Sequence, residues 1–557
     1  MNKAAKRNVL GFATGASVLA VALFSTPLWG QAVETPVAPI QTTGGMLAGK
    51  VLDSGVKAWF GVPFAKPPVQ ELRWQPPQPM TWKGVWNADR KMPECMQVLR
   101  PHNINHYFGE EATSENCLYM NIWSPGDSHA GSNLPVIVFI YGGGGTIGSS
   151  GIALYGGEPI AKSGKAVFVN FNYRVGILGF MAHPALTREQ GGHSGNYAYL
   201  DQNAALRWIH DNIAKFGGDP HKVLIMGQSA GAGSVTAQIF SPLSKGLFSS
   251  AVMSSGCNWD NNPAPLTDGE KTGLEIQQRL GASDLEAMRQ VPADKILALQ
   301  AESQVGNHNP GIRTGAVMDG YFTTEPKAQM LASHAASDVP IIASFNHEDL
   351  DAGSPLVRAK TVAEYKQVAQ ELYGENAPEF LKLFPVSTDS DIRTVGIDAA
   401  RDADLEAHAR SCARQQSGFN KSSAYIDTFT RKPSFEPGVK ITDMDPATAG
   451  AYHTADIPFW FGTMDVFNMF RKTRAWNSWD RTLSADMMAS LIAFADTGNP
   501  NTAEVKWPAW SPKNEQKIIF GDTIHAVKLD TARMDWLKAH PAKIVARVPD
   551  NRPGPRD

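Results

Sequence analysis

Six short and nearly uninterrupted apolar runs recur along the chain, and they restrict its fold more than any other feature. They are PVIVFIY (residues 135–141), AVFVNFNYR (166–174), KVLIMG (222–227), AVMSSG (251–256), VPIIASFN (339–346) and SAYIDTFT (423–430). Strands covered on both faces have this pattern, whereas a strand with one face in water alternates apolar and polar residues. We therefore predict that these runs are buried strands of one sheet.

Segments with helical periodicity lie between the runs. In residues 201–220, Ala205, Trp208, Ile209 and Ile213 fall on one helical face, and the segment starts at Asp201 and stops at two glycines. Alternating strands and helices predict an α/β protein with a mainly parallel central sheet flanked by helices. No change of composition divides the 557 residues, and 43% of them are hydrophobic, so we expect one large domain after the N-terminus.

The segment GQSAG (residues 227–231) places a serine between small residues, where a predicted strand meets a predicted helix. A glycine on each side permits backbone angles that a Cβ opposes, so a tight turn can present Ser229 to solvent. G-x-S-x-G in a strand–turn–helix context is the pattern of a nucleophile elbow. Ser229 is therefore our candidate nucleophile.

Four consecutive glycines follow the first predicted strand, at positions 142–145. They contribute no side chain to packing, but they let backbone N–H groups approach a ligand closely. A phosphate-binding loop would end in Lys-Ser or Lys-Thr, and this loop does not. A glycine-rich loop upstream of the serine is instead the expected place for an oxyanion hole. We predict no cofactor and no metal.

The chemistry also needs a base and an acid, and chain order restricts the choice to residues after the serine: acid first, histidine second. AYHTADIPFWFG (residues 451–462) supplies His453, which ranks first among the 14 histidines. SFNHEDLDAG (344–353) supplies Glu348, Asp349 and Asp351 at the end of a predicted strand. An acid at this place can orient an imidazole, and spacing alone leaves all three acids open.

Taken together, these segments resemble the type-B carboxylesterase family, which includes cholinesterases, carboxylesterases and several microbial lipases. The similarity covers about residues 40 to 535 in the expected order. Supporting stretches are GVPFAKPPVQELRWQPPQP (61–79), SENCLYMNIWSP (114–125), NYRVGILGF (172–180), LDQNAALRWIHDNIAKFGGDP (200–220) and TGNPN (497–501). The resemblance implies an α/β-hydrolase fold and the hydrolysis of small-molecule carboxylic esters.

The resemblance also assigns roles to individual residues. It makes Ser229 the nucleophile and His453 the base. The family usually writes its acid segment as Asn-x-Asp-Glu-Gly, and alignment with NHEDL places Asp349 at the catalytic Glu. Asp349 is shorter than Glu by one methylene, and Glu348 is the alternative acid.

The oxyanion donors implied by the resemblance are the N–H groups of Gly143, Gly144 and Ala230. Two departures from the family concern the substrate. Gly145 replaces the frequent Phe after the three glycines, which should open space at the site. Gln228 replaces the frequent Glu before the serine, and the loss of that anion favours neutral or anionic esters over cationic ones.

The N-terminus has the layout of a secretory signal peptide. MNKAAKR is basic, residues 9–24 are apolar, and small residues at Gly30 and Ala32 suit cleavage after residue 32. The apolar run is shorter than the roughly 20 residues that span a bilayer. We therefore expect residues 1–32 to be removed and residues 33–557 to be a secreted or periplasmic enzyme without stable membrane insertion. The formal net charge of −3 and the lack of a basic run argue against nucleic-acid binding.

Export permits disulfides among the four cysteines. Cys95 and Cys117 bracket a polar loop and form the most plausible pair, which the resemblance also implies. The sequence leaves open whether Cys257 and Cys412 pair. The resemblance further implies a structural ion pair between Arg73 and Glu115.

Two classes of function fit this sequence. The first is a serine hydrolase that cleaves esters through an acyl-enzyme, with an amidase, a carbamate hydrolase or a lipase as variants on the same triad. The second is a non-catalytic cholinesterase-like binding protein on the same fold. Binding proteins of that kind usually lack a member of the triad, and this chain retains a full set, so we favour the enzyme.

Overall fold

The centre of the fold is a twisted mixed sheet, seen in a computed structural model that describes residues 36–99, 104–105, 112–301, 311–349 and 354–543. The strands in this part of the chain are β1 Pro36–Gln41, β2 Met46–Val51, β3 Lys57–Pro63, β4 Val85–Asn87, β5 Glu94–Cys95, β6 Thr113–Ser114, β7 Tyr119–Ser124, β8 Leu134–Ile140, β9 Val167–Phe171, β10 Gly218–Gln228, β11 Ser250–Ser254, β12 Ala264–Pro265, β13 Val317–Met318, β14 Ile341–Asn346, β15 Ala424–Phe429, β16 Gln516–Phe520 and β17 Ile524–Lys528.

Thirteen of these strands form the main sheet, in the order β1-β2-β3-β7-β9-β8-β10-β11-β14-β15-β16-β17 with β4 beside β2. All pairs from β9 through β16 are parallel, and antiparallel strands complete both ends. The six apolar runs correspond to β8, β9, β10, β11, β14 and β15, so their prediction as strands is confirmed. The mainly parallel sheet expected from the alternating pattern is confirmed as well.

Seventeen α-helices lie in the described part of the chain, and several of them pack against this sheet. They are α1 Glu158–Lys162, α2 Gly176–Phe180, α3 Pro184–Glu189, α4 Tyr197–Asn212, α5 Ala230–Ile239, α6 Leu266–Leu280, α7 Leu285–Gln290, α8 Ala293–Ala301, α9 Lys327–Ala332, α10 Pro355–Arg358, α11 Val362–Tyr373, α12 Ala377–Leu383, α13 Ile392–Ala403, α14 Leu405–Phe419, α15 Ile457–Phe461, α16 Ser478–Thr497 and α17 Thr531–Ala539. Helix α5 packs on β8, β10 and β11, α16 packs on β8 and β10, and α14 packs on β14 and β15.

The helix predicted from Asp201 begins four residues earlier, at Tyr197, and this start was wrong for a clear reason. Asp201 is fully buried and does not cap the helix; its carboxylate accepts hydrogen bonds from Arg174 Nε at 2.8 Å and Nη2 at 2.7 Å. The helix ends at Asn212, a short 3₁₀ turn follows, and Gly217 terminates it with a φ of 91°.

The aromatic segment at 459–461 belongs to the core. Phe459, Trp460 and Phe461 are at most 1% exposed, which agrees with the large buried face of the sheet.

From Pro36 onward the described residues form one compact unit, as expected for a single large domain. None of the helices in the described ranges has the length and hydropathy of a membrane span. The predicted signal peptide, residues 1–32, lies outside those ranges.

Parallel strands align their carboxyl ends at one edge of the sheet, and this alignment positions the site. Gly227 of β10 lies opposite Ile140 of β8, and Gln228 lies opposite Ser254 of β11. Ser254 in turn lies opposite Ser344 of β14. The glycine loop, the serine turn and the acid-bearing loop therefore leave the sheet side by side.

Candidate active site

Ser229 occupies a sharp turn between β10 and α5. It has φ 57° and ψ −125°, a left-handed φ that is uncommon for a residue with a side chain. We expected the special angles at the flanking glycines, but neither Gly227 nor Gly231 adopts a positive φ. Their role is close packing: a Cβ on Gly227 would lie 2.1 Å from Gly231 O, and one on Gly231 would lie 2.1 Å from Ile140 O.

His453 and Asp349 are brought together from two different loops. His453 Nδ1 and Asp349 Oδ1 form a hydrogen bond. The Asp349 side chain is 2% exposed, whereas the His453 side chain is 41% exposed, so the imidazole is the accessible member of the pair. Partial burial lowers the pKa of His453, but the Asp349 carboxylate outweighs this effect and raises it above 6.5.

Two further donors hold the second oxygen of Asp349. Ser255 Oγ donates to Asp349 Oδ2 at 2.5 Å, and the Asn346 backbone N–H donates to it at 3.2 Å. A carboxylate that accepts hydrogen bonds from three donors is fixed in orientation. Ser255 was not singled out from the sequence, although its place one residue after β11, beside the serine turn, could have identified it.

Glu348, the alternative acid, has different partners. Its Oε2 accepts a hydrogen bond from the Ala451 N–H at 2.8 Å, His347 Nδ1 lies 3.3 Å from the same oxygen, and Lys432 Nζ lies 3.6 Å from Oε1. None of these partners is His453. Asp351, the third acid left open by spacing, lies outside the described residues.

Gln228 lies between the serine turn and the histidine. Its Nε2 is 3.0 Å from His453 Nε2, and among the described residues Ser229 Oγ has no hydrogen bond to the imidazole. Since Asp349 accepts the proton on Nδ1, Nε2 carries the lone pair, and the Gln228 amide N–H donates to it. The structure therefore brings His453 and Asp349 into contact, and within the described residues the base is hydrogen-bonded to Gln228 and not to Ser229.

The glycine loop lies directly against the serine turn. A Cβ on Gly142 would come within 2.9 Å of Ser229 Cβ, so only glycine fits there. Gly143, Gly144 and Gly145 have φ of 106°, 64° and 71°, a left-handed run that residues with side chains rarely adopt. A Cβ on Gly145 would have only Phe180 near it, 3.5 Å away, so space is open at this position as expected.

Three backbone N–H groups near Ser229 are available to a ligand. Within the described part of the chain, those of Gly143, Gly144 and Ala230 donate to no protein acceptor. Ala230 is the first residue of α5, where backbone donors have no partner inside the helix. The loop is anchored by Gln97, which exchanges two hydrogen bonds with Gly148, at 2.7 Å and 2.8 Å.

A second carboxylate lies behind the site. Asp456 is fully buried and accepts hydrogen bonds from Ser254 Oγ at 2.8 Å, Asn346 Nδ2 at 3.0 Å and Trp460 Nε1 at 3.2 Å. Burial and the charge of Asp349 raise its pKa. Within the described ranges, no group of three or more His, Cys, Asp or Glu residues could hold a metal ion.

Covalent and ionic links hold the surrounding loops. Cys95 and Cys117 form the expected disulfide with Cα atoms 5.0 Å apart. Cys257 and Cys412, left open by the sequence, form a second one with Cα atoms 6.5 Å apart. The expected ion pair is confirmed too: Arg73 donates to both oxygens of Glu115, at 2.7 Å and 2.6 Å.

Known proteins resemble this chain over most of its length. The model of the carboxylesterase family matches residues 35–536. The fumonisin B1 esterase of Sphingopyxis macrogoltabida is 32% identical over 87% of this chain and 86% of its own length. The human cocaine esterase is 31% identical over 91% and 92%, and the para-nitrobenzyl esterase of Bacillus subtilis is 29% identical over 85% and 92%.

Among solved structures, a PNB esterase superposes with a TM-score of 0.70 at 28% identity, covering 89% of this chain and 99% of its own. A thermophilic PNB esterase gives a TM-score of 0.71 at the same identity. The fold expected from the resemblance, that of the α/β-hydrolases, is confirmed. This chain belongs to the carboxylesterase family, and it is a carboxylic ester hydrolase that acts on small-molecule esters.

Proposed function

We propose that Ser229, His453 and Asp349 are the catalytic triad of this ester hydrolase, with the N–H groups of Gly143, Gly144 and Ala230 as the oxyanion hole. The observation that carries the proposal is the hydrogen bond from His453 to the buried Asp349 at the sheet edge where Ser229 forms its strained turn. The partners of Glu348 favour Asp349 as the acid, because Glu348 is occupied by Ala451 and His347.

The reaction follows from these roles. Ser229 Oγ attacks the ester carbonyl carbon, and His453 Nε2 takes the hydroxyl proton while Asp349 stabilises the imidazolium. The carbonyl oxygen becomes an anion held by the backbone N–H groups. The tetrahedral species then expels the alcohol, which takes the proton from His453, and leaves an acyl-Ser229 ester. Water deprotonated by His453 cleaves that ester and restores the free enzyme.

The hydrogen bond between Gln228 and His453 must break before the first step. The Gln228 amide N–H occupies the His453 Nε2 lone pair that has to accept the proton of Ser229. A hydrogen-bond exchange of this size costs little, because one neutral partner replaces another. Catalytic hydrogen bonds are often incomplete without substrate and form in the complex.

The surroundings support a substrate without positive charge. Gln228 brings no anion to the base, and Gly145 leaves room beside the carbonyl. The named relatives act, by their names, on fumonisin B1, cocaine and para-nitrobenzyl esters. We extend to this chain only the class that these names share, a bulky ester; the preference for a neutral or anionic one rests on Gln228.

We also propose export to the periplasm or the outside of the cell, with residues 1–32 as the signal peptide. Two disulfides support this location, because they persist in oxidising compartments.

The test is hydrolysis of p-nitrophenyl esters from acetate to laurate by the mature chain and by Ser229→Ala. We expect turnover that the substitution reduces by a factor of about 10⁴ or more. A fluorophosphonate should label the wild type and not the variant. Ser234→Ala, a change one turn along the same helix, is the matched control and should keep activity. Comparable turnover by Ser229→Ala would refute the proposed nucleophile, and turnover of anilides but not esters would indicate an amidase.

A further inference from the structure

A groove of about 230 Å³ runs along α5 beside the proposed nucleophile. Gly233 and Gly256 form part of its floor. A Cβ on Gly256 would lie 2.7 Å from Ser229 O and 3.6 Å from Gly233 N. Gly256, which lines the groove, therefore packs directly against the backbone of the serine turn.

A chain of aromatic contacts links the groove to the glycine loop. Tyr199 of α4 lines the groove and packs edge-to-face on Phe180, with ring centroids 5.3 Å apart. Phe180 is also the residue nearest to the open position at Gly145. The groove lining thus contacts the serine turn through Gly256 and approaches the glycine loop through Tyr199 and Phe180.

The position of the base decides which half of the ester the groove accepts. His453 has to protonate the oxygen of the leaving alcohol, so the alcohol lies on the histidine side of Ser229. The described lining residues come from α4, α5, the turn after β11 and the segment that leads into α9. The histidine loop contributes none of them, which leaves the groove to the acyl chain.

Part of the groove lining is polar and charged, although ligand pockets are lined mainly by apolar groups. Asn258, Asn261 and Asn262 line the groove together with Glu325 and Lys327.

Lys327 carries a charge that its close neighbours do not neutralise. Its Nζ donates to the backbone carbonyls of Asn258, at 3.4 Å, and Asn261, which are uncharged acceptors. In the described part of the chain it forms no ion pair with a carboxylate. The Asp260 carboxylate acts on it from a greater distance, and its Oδ1 is already held by Ser411 and Gln415.

We infer that this groove is the acyl subsite and that Lys327 binds a carboxylate at the far end of the acyl chain, so that half-esters of dicarboxylic acids are preferred substrates. The inference rests on the proposed function, since it takes Ser229 as the nucleophile. Glu325 lines the same groove, and its negative charge opposes the binding of an anion. Lys327 should therefore favour the half-ester, whereas Glu325 should disfavour it.

The preference should depend on pH. Burial lowers the pKa of Lys327 to about 8, although Asp260 acts in the other direction. The charged group that acts on it is Asp260, on the turn after β11, and Glu325 on its own segment lines the same groove. Tyr199 stays neutral because burial raises its pKa to about 12, and α5 lines the groove with Gly233, Thr236, Ala237 and Phe240, which do not titrate. The ammonium, and with it the preference, is lost above about pH 8.

The experiment compares two substrates of equal chain length, mono-p-nitrophenyl adipate and p-nitrophenyl hexanoate, and measures the ratio of their kcat/KM values. Lys327→Met should lower the adipate-to-hexanoate ratio by about tenfold or more, since a charge-assisted hydrogen bond is lost. Glu325→Gln should raise it. Lys271→Met, which removes an exposed lysine on α6 paired with Asp268, is the matched control and should leave the ratio unchanged.

The outcomes separate this inference from the proposed function. Activity on hexanoate that depends on Ser229, together with a ratio insensitive to Lys327→Met, would overturn the acyl subsite and leave the triad standing. Activity on both esters in Ser229→Ala would overturn the triad. If Lys327→Met does not fold, the wild-type ratio below and above about pH 8 decides, and Lys327→Arg should shift its decline to higher pH. A ratio that is flat across this pH range would overturn the inference.

Discussion

Replacing Asp349 by Asn tests the acid of the triad, and the hydrogen bonds of the structure predict how the variant fails. Oδ2 accepts from two donors, Ser255 Oγ and the Asn346 N–H, whereas Oδ1 accepts from His453 alone. The single amide oxygen of Asn should therefore face the two donors, and its NH₂ group should face His453 Nδ1. That nitrogen must then accept, so the ring proton moves to Nε2 and the base has no lone pair for Ser229.

The expected loss is about 10⁴-fold in kcat, the size seen when the same tautomer error is introduced into a serine-protease triad. This corresponds to about 5.4 kcal/mol of transition-state stabilisation. The assay is kcat for p-nitrophenyl butyrate, with thermal unfolding as the check on folding. Adding Ser255→Ala removes one of the two donors, so the side-chain amide at position 349 can rotate and present its oxygen to His453 Nδ1. Part of the activity should then return.

Glu348→Gln is the matched control, because its amide oxygen can still accept from the Ala451 N–H. We expect it to lose less than about tenfold in kcat. The reverse result, a small loss in Asp349→Asn and a loss of about 10³-fold or more in Glu348→Gln, would refute the argument and make Glu348 the acid.

Two further predictions follow from the same site and its supports. Asp349 raises the pKa of His453, and the neutral imidazole is the base. Therefore kcat/KM for a neutral ester should rise with pH through a midpoint above 6.5. A midpoint below 6.5 would show that Asp349 does not control the pKa of His453. The double change Cys95→Ala and Cys117→Ala opens a loop with a sequence separation of 22 residues. The free energy of unfolding measured in urea should therefore fall by about 3 kcal/mol. An unchanged free energy of unfolding would show that this disulfide does not stabilise the fold.

The sequence predicted the parts of the fold and site that depend on local patterns. Buried parallel strands were visible because both of their faces are apolar, and the serine turn was visible because its glycines are fixed by close packing. The local pattern predicted the wrong place for the strained backbone: we expected the unusual φ at the glycines, whereas Ser229 adopts it. The local pattern also placed a helix start at Asp201, since a buried ion pair with Arg174 has no signature in the spacing.

The contacts between loops could not be predicted from local sequence patterns. Ser255 and Asn346 support Asp349 from the ends of β11 and β14, and their distances depend on the register of two parallel strands that are far apart in sequence. The pairing of Cys257 with Cys412 has the same origin, since it joins the turn after β11 to α14.

The short acid is explained by the loop that carries it. Asp349 lacks one methylene relative to the Glu that the family usually has, yet it reaches His453. Glu348 makes this possible, because its N–H donates to Ala451 O at 3.1 Å and its Oε2 accepts from the Ala451 N–H at 2.8 Å. These two hydrogen bonds tie the acid loop to the histidine loop two residues before His453. Gly450 permits the approach, since a Cβ there would lie 2.4 Å from the Glu348 carboxyl carbon. Glu348 therefore acts as the clamp that lets the shorter Asp349 reach His453, as the proposed triad requires, and the two adjacent carboxylates have different partners.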